Sequence, residues 1–239
     1  MIKFVRIASF FIAVVITVFS IFLIDSEKEL TDAQLAYQSG DMDQAMRKAR
    51  RANRAFSDEQ RKVSAFYVQA KAANQMNWTE KSKDYLDELL SLQPDHVSGL
   101  LFRGEIEVEL GDNTNALQDM NRGLELAQEK ISDNSVAYAL SKRGLAYLAL
   151  NQVENAEDDA QKAIQLSKKL PEAYDLLSRV MEQKEDYEAA VEACETAYNL
   201  LNEKDRYAVV SPEGRQLSDR LVDLKIKHLQ SKKVIRSAN

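Results

Sequence analysis

The chain has 239 residues, of which 45% are hydrophobic and 29% are charged, and it contains only 7 glycines and 3 prolines. So few helix-breaking residues predict long helices joined by short connections. The formal net charge of −6 at pH 7 comes from an acidic body between two basic ends, and an acidic body argues against a nucleic-acid partner, which requires a basic surface.

The sequence contains no motif for catalysis, cofactor binding or metal binding. It has no glycine-rich phosphate loop, no CxxC pair, no HExxH and no serine elbow. The single cysteine, Cys194, excludes an intramolecular disulfide, and its helical context indicates a buried small residue. His96 and His228 do not have a metal-binding spacing. We therefore expect no enzyme activity, no cofactor, no metal and no small-molecule substrate.

The first predicted element is a membrane-spanning helix over residues 7–24, within an anchor segment of residues 1–25. These 18 residues carry no charge, and at about 1.5 Å per residue they span roughly 27 Å, the thickness of a bilayer core. The apolar run continues through Ile21–Ile24, past the point where a signal peptide would be cut, which favours a retained anchor over a cleaved signal. Lys3 and Arg6 before the run predict a cytoplasmic N-terminus and an extracytoplasmic body, on the periplasmic side if the source is bacterial.

A repeating pattern of small residues follows the anchor and extends from residue 26 to residue 204. An alanine or serine recurs at intervals of 37, 34, 40 and 34 residues, at Ala45, Ser82, Ala116, Ala156 and Ala190. A period near 34 residues with two helices in each period is typical of helical repeat arrays. The units counted in this frame are 26–59, 63–96, 97–130, 137–170 and 171–204.

Two further positions strengthen the pattern. Position 8 of each unit is small, and position 15 is a turn residue in four of the five units. In chain order, position 8 is Ala33, Ala70, Gly104, Gly144 and Ser178, and position 15 is Gly40, Asn77, Gly111, Asn151 and Glu185. Together these positions resemble the tetratricopeptide repeat (TPR). The resemblance implies an all-α fold, a right-handed α-solenoid of about five helix-turn-helix units, here preceded by the transmembrane helix.

Several local features refine this outline. Ser26 and Ser57 stand at capping-box spacing and predict helix starts. The extra residues 131–136 predict either a longer preceding helix or a protruding loop. Asp158 and Asp159 fall on the outer helix of a unit, where we expect solvated charge. Residues 205–239 are predicted to form a capping helix over 212–233, which begins with Ser211-Pro212-Glu213, followed by a basic, mobile tail.

The TPR resemblance also implies where a partner would bind. In TPR arrays the first helices line a concave groove, and positions 2, 5, 9 and 12 of each unit face it. The partner-binding candidates on this basis are Tyr67, Lys71, Leu101, Glu105, Tyr138, Ser141, Leu145, Asp175 and Arg179. Their mixture of apolar and charged groups suits a helix or an extended peptide. An alternative is that the aromatic residues simply pack between neighbouring first helices.

One known TPR specificity is not expected. Co-chaperone TPR domains clamp a C-terminal carboxylate with lysine, asparagine and arginine at set positions, whereas this chain has Tyr67, Phe102 and Tyr138 at three of them. The function most consistent with the sequence is a membrane-anchored scaffold or assembly factor that binds a partner protein or peptide in the groove. The alternatives are a permanent structural subunit of a membrane complex and a membrane receptor that faces the cytoplasm.

Overall fold

The computed structural model describes residues 25–53, 58–127, 131–204 and 210–238, and apart from a 3₁₀ residue at Val210 every regular element in these ranges is an α-helix. The predicted membrane helix at 7–24 and the predicted cap at Ser57 lie outside the described residues. The helices are α1 (25–38), α2 (Met42–Ala52), α3 (Glu59–Gln75), α4 (Thr79–Leu92), α5 (Val97–Glu109), α6 (Asn113–Ala127), α7 (Asp133–Ala149), α8 (Val153–Leu166), α9 (Pro171–Gln183), α10 (Tyr187–Lys204) and α11 (Pro212–Ala238).

The helices are grouped into two compact units, one ending at Ile106 and one beginning at Glu107, so that the division falls within α5. In the first unit α3 packs against α2 and α4. In the second unit α7 packs against α6, α8 and α9, and α10 packs against α9 and α11. None of the helices in the described part of the chain is both long enough and apolar enough to cross a membrane.

The turn between the two helices of each repeat is the same in all five. Position 15 has a positive φ in every case, at Gly40 (83°), Asn77 (57°), Gly111 (81°), Asn151 (58°) and Glu185 (61°). The next residue in each turn donates its N–H to a carbonyl five residues back at 2.8–2.9 Å. This 6→1 hydrogen bond, made across a residue in the left-handed conformation, defines the Schellman motif that closes an α-helix.

Small residues at positions 8 and 20 bring the two helices of a repeat into contact. Ser82 at position 20 donates its hydroxyl to the carbonyl of Ala70 at position 8, at 2.9 Å. In the last repeat the roles are exchanged, because Ser178 at position 8 donates to the carbonyl of Ala190 at position 20, at 2.8 Å. A side chain added at Gly144, also at position 8, would overlap the Cδ2 atom of Leu176. The small residues that reveal the repeat in the sequence are therefore its packing residues.

Ion pairs join the two helices of a repeat in each unit. In the first unit Lys48 of α2 lies 3.0 Å from Asp32 of α1. In the second unit Arg143 of α7 donates two hydrogen bonds to Asp159 of α8, at 2.8 and 2.6 Å, and a third to Asn121 at 2.8 Å. The side chain of Asp159 is only 2% exposed, so the prediction that it is solvated is wrong. Asp158, one residue earlier, is exposed as predicted.

The extra residues between repeats lengthen the helices that follow them. α3 and α7 each contain 17 residues, whereas α5 and α9 each contain 13. Residues 133–136 of the 131–136 insertion form the first turn of α7, which Ser132 caps by accepting a hydrogen bond from the N–H of Ser135. These four residues thus belong to the following helix, whereas the prediction placed the insertion in the preceding helix or in a loop. Ser26 is likewise not a cap, since it lies within α1 and its buried hydroxyl donates to the carbonyl of Ala52 at 2.8 Å.

The last helix covers the end of the second unit. The hydroxyl of Ser211 accepts a hydrogen bond from the N–H of Gly214 at 3.2 Å, which confirms the predicted helix start. Leu224 is fully buried against Ala190 and Cys194 of α10. The helix continues to Ala238, beyond its predicted end at residue 233.

Candidate partner-binding groove

A cavity of about 530 Å³ lies in the second unit, along the C-terminal halves of its first helices. The lining residues come from α5, α7, α9 and α11, and they are Val108, Leu145, Leu148, Ala149, Arg179, Glu182, Gln183 and Arg220. Five of the eight, Val108, Leu145, Leu148, Arg179 and Glu182, occupy positions 9 or 12 of their repeats. These positions share one helix face because they are three or four residues apart.

One wall of the cavity is apolar. Leu145 and Leu148 of α7 are half-buried, and both pack against a cluster that includes Ala156 of α8 and Leu176 of α9. Each leucine is therefore held in place on one side, while its other side lines the cavity. An apolar surface whose side chains are fixed by packing is a common feature of preformed binding sites.

The opposite wall is a network of charged side chains between α9 and α11. Arg220 of α11 donates to Asp175 at 2.6 Å, to Ser178 at 3.0 Å and to Glu182 at 3.2 Å. Lys227 donates to the other oxygen of Glu182 at 2.6 Å. Burial alone would raise the pKa of Glu182, but the hydrogen bonds from Lys227 and Arg220 lower it below its usual value. The same interaction raises the pKa of Lys227.

The predicted groove residues of the second unit occupy different environments. Leu145 and Arg179 line the cavity, and Asp175 lies beside it, bonded to Arg220 and Arg179. Tyr138 is half-buried against a cluster that includes Leu140, with the ammonium group of Lys142 5.1 Å from its ring.

Ser141 does not present a free polar group. Its side chain is 1% exposed, and its hydroxyl donates to the carbonyl of Ala137 in the same helix at 2.9 Å. Position 5 is thus not open to a ligand in this repeat, because the serine hydroxyl is too short to reach past its own helix backbone.

In the first unit, the predicted groove residues contact one another and their neighbours. The ring of Tyr67 lies 6.1 Å from Phe102 and 5.9 Å from His96, and burial raises its pKa. The ammonium group of Lys71 lies 4.4 Å from the ring of Tyr37. Leu101 and Glu105 are half-buried on α5. Tyr67 therefore packs between neighbouring first helices, as the alternative interpretation of the aromatic residues proposed.

Arg220 is a charged cavity residue that the sequence does not single out. It lies after the last repeat, where no position in the 34-residue frame applies. The available signal was its spacing, because Arg220 and Lys227 are seven residues apart and so lie on one face of the final helix. Among the described residues, no group of histidine, cysteine, aspartate or glutamate side chains is placed to hold a metal ion.

Comparison with known proteins agrees with this arrangement of helices. A family model for the tetratricopeptide repeat matches residues 63–96, 137–170 and 171–200. The three matched segments, which together cover less than half of the chain, resemble tetratricopeptide repeats. The matched segments coincide with the second and fourth of the five 34-residue repeats and with most of the fifth. No curated protein sequence matches the chain.

Solved structures with the same fold come from several bacteria. MamA from Desulfovibrio magneticus RS-1 aligns with a TM-score of 0.62 and 20% identity, over 76% of this chain and 97% of that chain. A thermophilic TPR protein from Thermus thermophilus aligns with a TM-score of 0.59 and 18% identity, over 84% and 99%. A TPR protein from Parabacteroides merdae ATCC 43184 aligns with a TM-score of 0.63 and 19% identity, over 89% and 77%. At these identities the comparison establishes the fold alone.

Proposed function

We propose that this TPR protein is a membrane-anchored scaffold that binds a segment of a partner protein in the cavity of its second unit. The observation that carries the proposal is the cavity itself, whose volume of about 530 Å³ lies within the range of protein ligand sites. Its apolar wall, Leu145 and Leu148, faces a polar wall that contains Arg179. This combination suits an amphipathic segment that buries an apolar side chain and places a polar group beside it.

Residues 7–24 would supply the anchor, with the N-terminus in the cytoplasm and the repeats on the extracytoplasmic side. Anchoring confines the scaffold and a membrane-bound partner to a thin layer, which raises their effective concentration. A groove that binds its partner protein with modest affinity is then sufficient to hold that partner during assembly.

Site-specific photo-crosslinking in cells tests the groove. A photo-reactive residue replaces Leu148 in the full chain, and a matched control replaces Glu188, which is exposed on α10. We expect a discrete crosslinked product from position 148 and none from position 188. Equal, unspecific crosslinking from both positions would show that the cavity is not a binding site.

Membrane attachment and orientation need a separate experiment. Alkaline carbonate extraction should leave the full chain in the membrane fraction and release a variant that lacks residues 1–24. In cells with a permeabilised outer membrane, added protease should digest the repeats. Repeats that stay intact in cells but are digested after lysis would indicate a receptor that faces the cytoplasm.

A permanent subunit of a membrane complex is a second candidate, and one observation favours it. Val222, Ile226 and Leu229 of α11 are 55%, 48% and 60% exposed, and their spacing places them along one face of the helix. Exposed apolar residues in a row are typical of surfaces that a neighbouring protein covers. Purification of the full chain in mild detergent separates the two candidates, because a permanent subunit co-purifies with its neighbours in fixed stoichiometry and a scaffold does not.

A further inference from the structure

The charge of the cavity is different from the charge that the repeats alone would give it. At the groove positions of the last repeat, α9 carries three carboxylates, Glu172, Asp175 and Glu182, against one cation, Arg179. Considered without α11, this end of the groove is acidic and would favour a basic partner. Helix α11 adds Arg220 and Lys227 to the same place, so the sign of the site depends on which charged groups are already paired.

The hydrogen bonds identify these groups. Both carboxylate oxygens of Asp175 accept hydrogen bonds, Oδ1 from Nη1 of Arg220 at 2.6 Å and Oδ2 from Nε of Arg179 at 2.9 Å. Both oxygens of Glu182 are also occupied, Oε1 by Lys227 at 2.6 Å and Oε2 by Arg220 at 3.2 Å. The two carboxylates nearest the cavity are thus neutralised by cations of the same chain.

Arg179 is the charged cavity residue whose side chain can still donate hydrogen bonds to a ligand. Its Nε is bonded to Asp175, but within the described residues no hydrogen bond is made by its Nη1 or Nη2 atoms. Its side chain is 34% exposed and lines the cavity. A guanidinium group with both terminal nitrogens available presents a planar fork, the geometry that binds a carboxylate through two parallel hydrogen bonds.

We propose that the cavity selects protein segments in which a carboxylate adjoins a large apolar side chain, with Arg179 as the residue that binds the carboxylate. This inference rests on the proposed function. The apolar side chain would pack against Leu145 and Leu148, and the carboxylate would bind the free edge of the guanidinium. The carboxylate belongs to an aspartate or glutamate side chain of the segment. Helix α11 acts as a specificity element, because Arg220 and Lys227 neutralise the carboxylates that would otherwise repel this ligand.

Peptide selection followed by affinity measurement tests the proposal. The probe is a random dodecapeptide library displayed on phage, selected against the immobilised full chain in detergent. We expect selected peptides to be enriched in aspartate or glutamate next to leucine, isoleucine or phenylalanine. Replacement of the acidic residue of a selected peptide by its amide should weaken binding about tenfold or more, since a charge-assisted hydrogen bond is lost. Amidation of the peptide C-terminus should leave the affinity unchanged, and a loss of affinity from amidation alone would contradict the proposal.

Variants of the protein assign the effect to Arg179. Arg179→Gln should bind the acidic peptide and its amide equally weakly, and Arg179→Lys, which keeps the charge but loses the fork, should give an intermediate ratio. Lys162→Gln removes one charge from the exposed face of α8 and should leave the ratio unchanged. A thermal midpoint equal to that of the wild type excludes unfolding of the Arg179 variants.

The possible failures have different meanings. An unchanged ratio for Arg179→Gln, or selected peptides without acidic residues, would overturn the carboxylate inference and leave peptide binding in the groove intact. Selected peptides whose affinity is unaffected by Leu148→Glu would bind elsewhere, which would contradict both the inference and the proposed function. A library that yields no binding peptide would also count against both.

Discussion

At the scale of single residues, the turn position of the last repeat is strained. Glu185 has φ 61°, a left-handed conformation that costs a residue with a side chain about 1–2 kcal/mol. Gly or Asn occupies the same position in the other four repeats, and these residues tolerate it. We expect Glu185→Gly to raise the free energy of unfolding by about 0.5–1 kcal/mol, because the relief of strain exceeds the added entropy of the unfolded chain. Urea denaturation followed by circular dichroism measures the change.

A neighbouring substitution provides the control. Lys184 has φ −81°, so Lys184→Gly should give no such gain and should lose a few tenths of a kcal/mol. A lower urea midpoint for Glu185→Gly than for the wild type would mean that Glu185 contributes a stabilising interaction larger than its backbone strain.

The residues that the sequence predicted correctly are those whose role is set by the local backbone. Turns are predictable at Gly40, Asn77, Gly111 and Asn151 because these residue types favour one backbone conformation, independently of the surroundings. The burial of Asp159 is not predictable in this way because it depends on Arg143, which lies 16 residues earlier on another helix. A pattern along the chain indicates which residues can form a turn, but not which charged residues meet.

At the scale of helices, the pair of Arg143 and Asp159 joins α7 to α8. Their side chains are 17% and 2% exposed, and the hydrogen bonds from Arg143 satisfy both oxygens of Asp159. Arg143→Met should lower the free energy of unfolding by about 3–5 kcal/mol, because it leaves a buried carboxylate without its partner. The double variant with Asp159→Asn should lose less, since the buried charge is also removed. Urea denaturation of the two variants measures both effects.

An exposed ion pair sets the scale for this comparison. Lys225 and Glu195 are 51% and 45% exposed and lie 2.7 Å apart. Lys225→Met should change the free energy of unfolding by less than about 0.5 kcal/mol, because solvent screens the pair. An equally small effect of Arg143→Met would show that Asp159 acquires water or another partner when the arginine is lost.

The contacts between α9 and α11 give the fold a dependence on pH. The pKa of Glu182 is lowered in the folded protein by hydrogen bonds from Lys227 and Arg220, against the opposing effect of burial. The stabilisation is therefore fully present above the ordinary pKa of 4.5 and is lost as the pH falls through the lower folded value. The free energy of unfolding measured between pH 7 and pH 3 should decrease less steeply for Glu182→Gln than for the wild type. Identical pH profiles would show that Glu182 is equally stabilised in the unfolded chain.

Helix bounds were predictable where the repeat frame applies and not where it is interrupted. The frame leaves residues 131–136 either to a longer preceding helix or to a loop, yet residues 133–136 begin α7, because Ser132 supplies a cap and the residues after it do not break a helix. The same limit applies to α11, which lies beyond the last repeat. Its contribution to the cavity, Arg220, depends on how the helix docks, and docking is decided by contacts with α9 and α10 that no periodicity encodes.

At the scale of the whole molecule, a repeat protein is stabilised mainly by contacts between neighbouring elements, so its ends open most easily. Helix α11 closes one end, and beneath it lies Cys194, the only cysteine of the chain. The Cys194 side chain is fully buried and its Sγ lies 3.7 Å from the carbonyl of Leu217 in α11. Burial also raises the pKa of its thiol, which reduces the thiolate that reacts with labelling reagents. Labelling of this thiol under native conditions therefore reports the opening of α11.

This provides the last prediction, measured with Ellman's reagent at neutral pH. The full chain should react slowly, and a chain truncated after residue 211 should react at nearly the rate of an unfolded thiol. Arg220→Met, which removes the hydrogen bonds from α11 to α9, should accelerate labelling about tenfold or more, as expected for a loss of about 1.4 kcal/mol in docking free energy. Lys162→Met on the exposed face of α8 should have no effect. Fast labelling of the wild-type chain would show that α11 is undocked for much of the time and therefore that Arg220 does not act as a fixed part of the cavity wall.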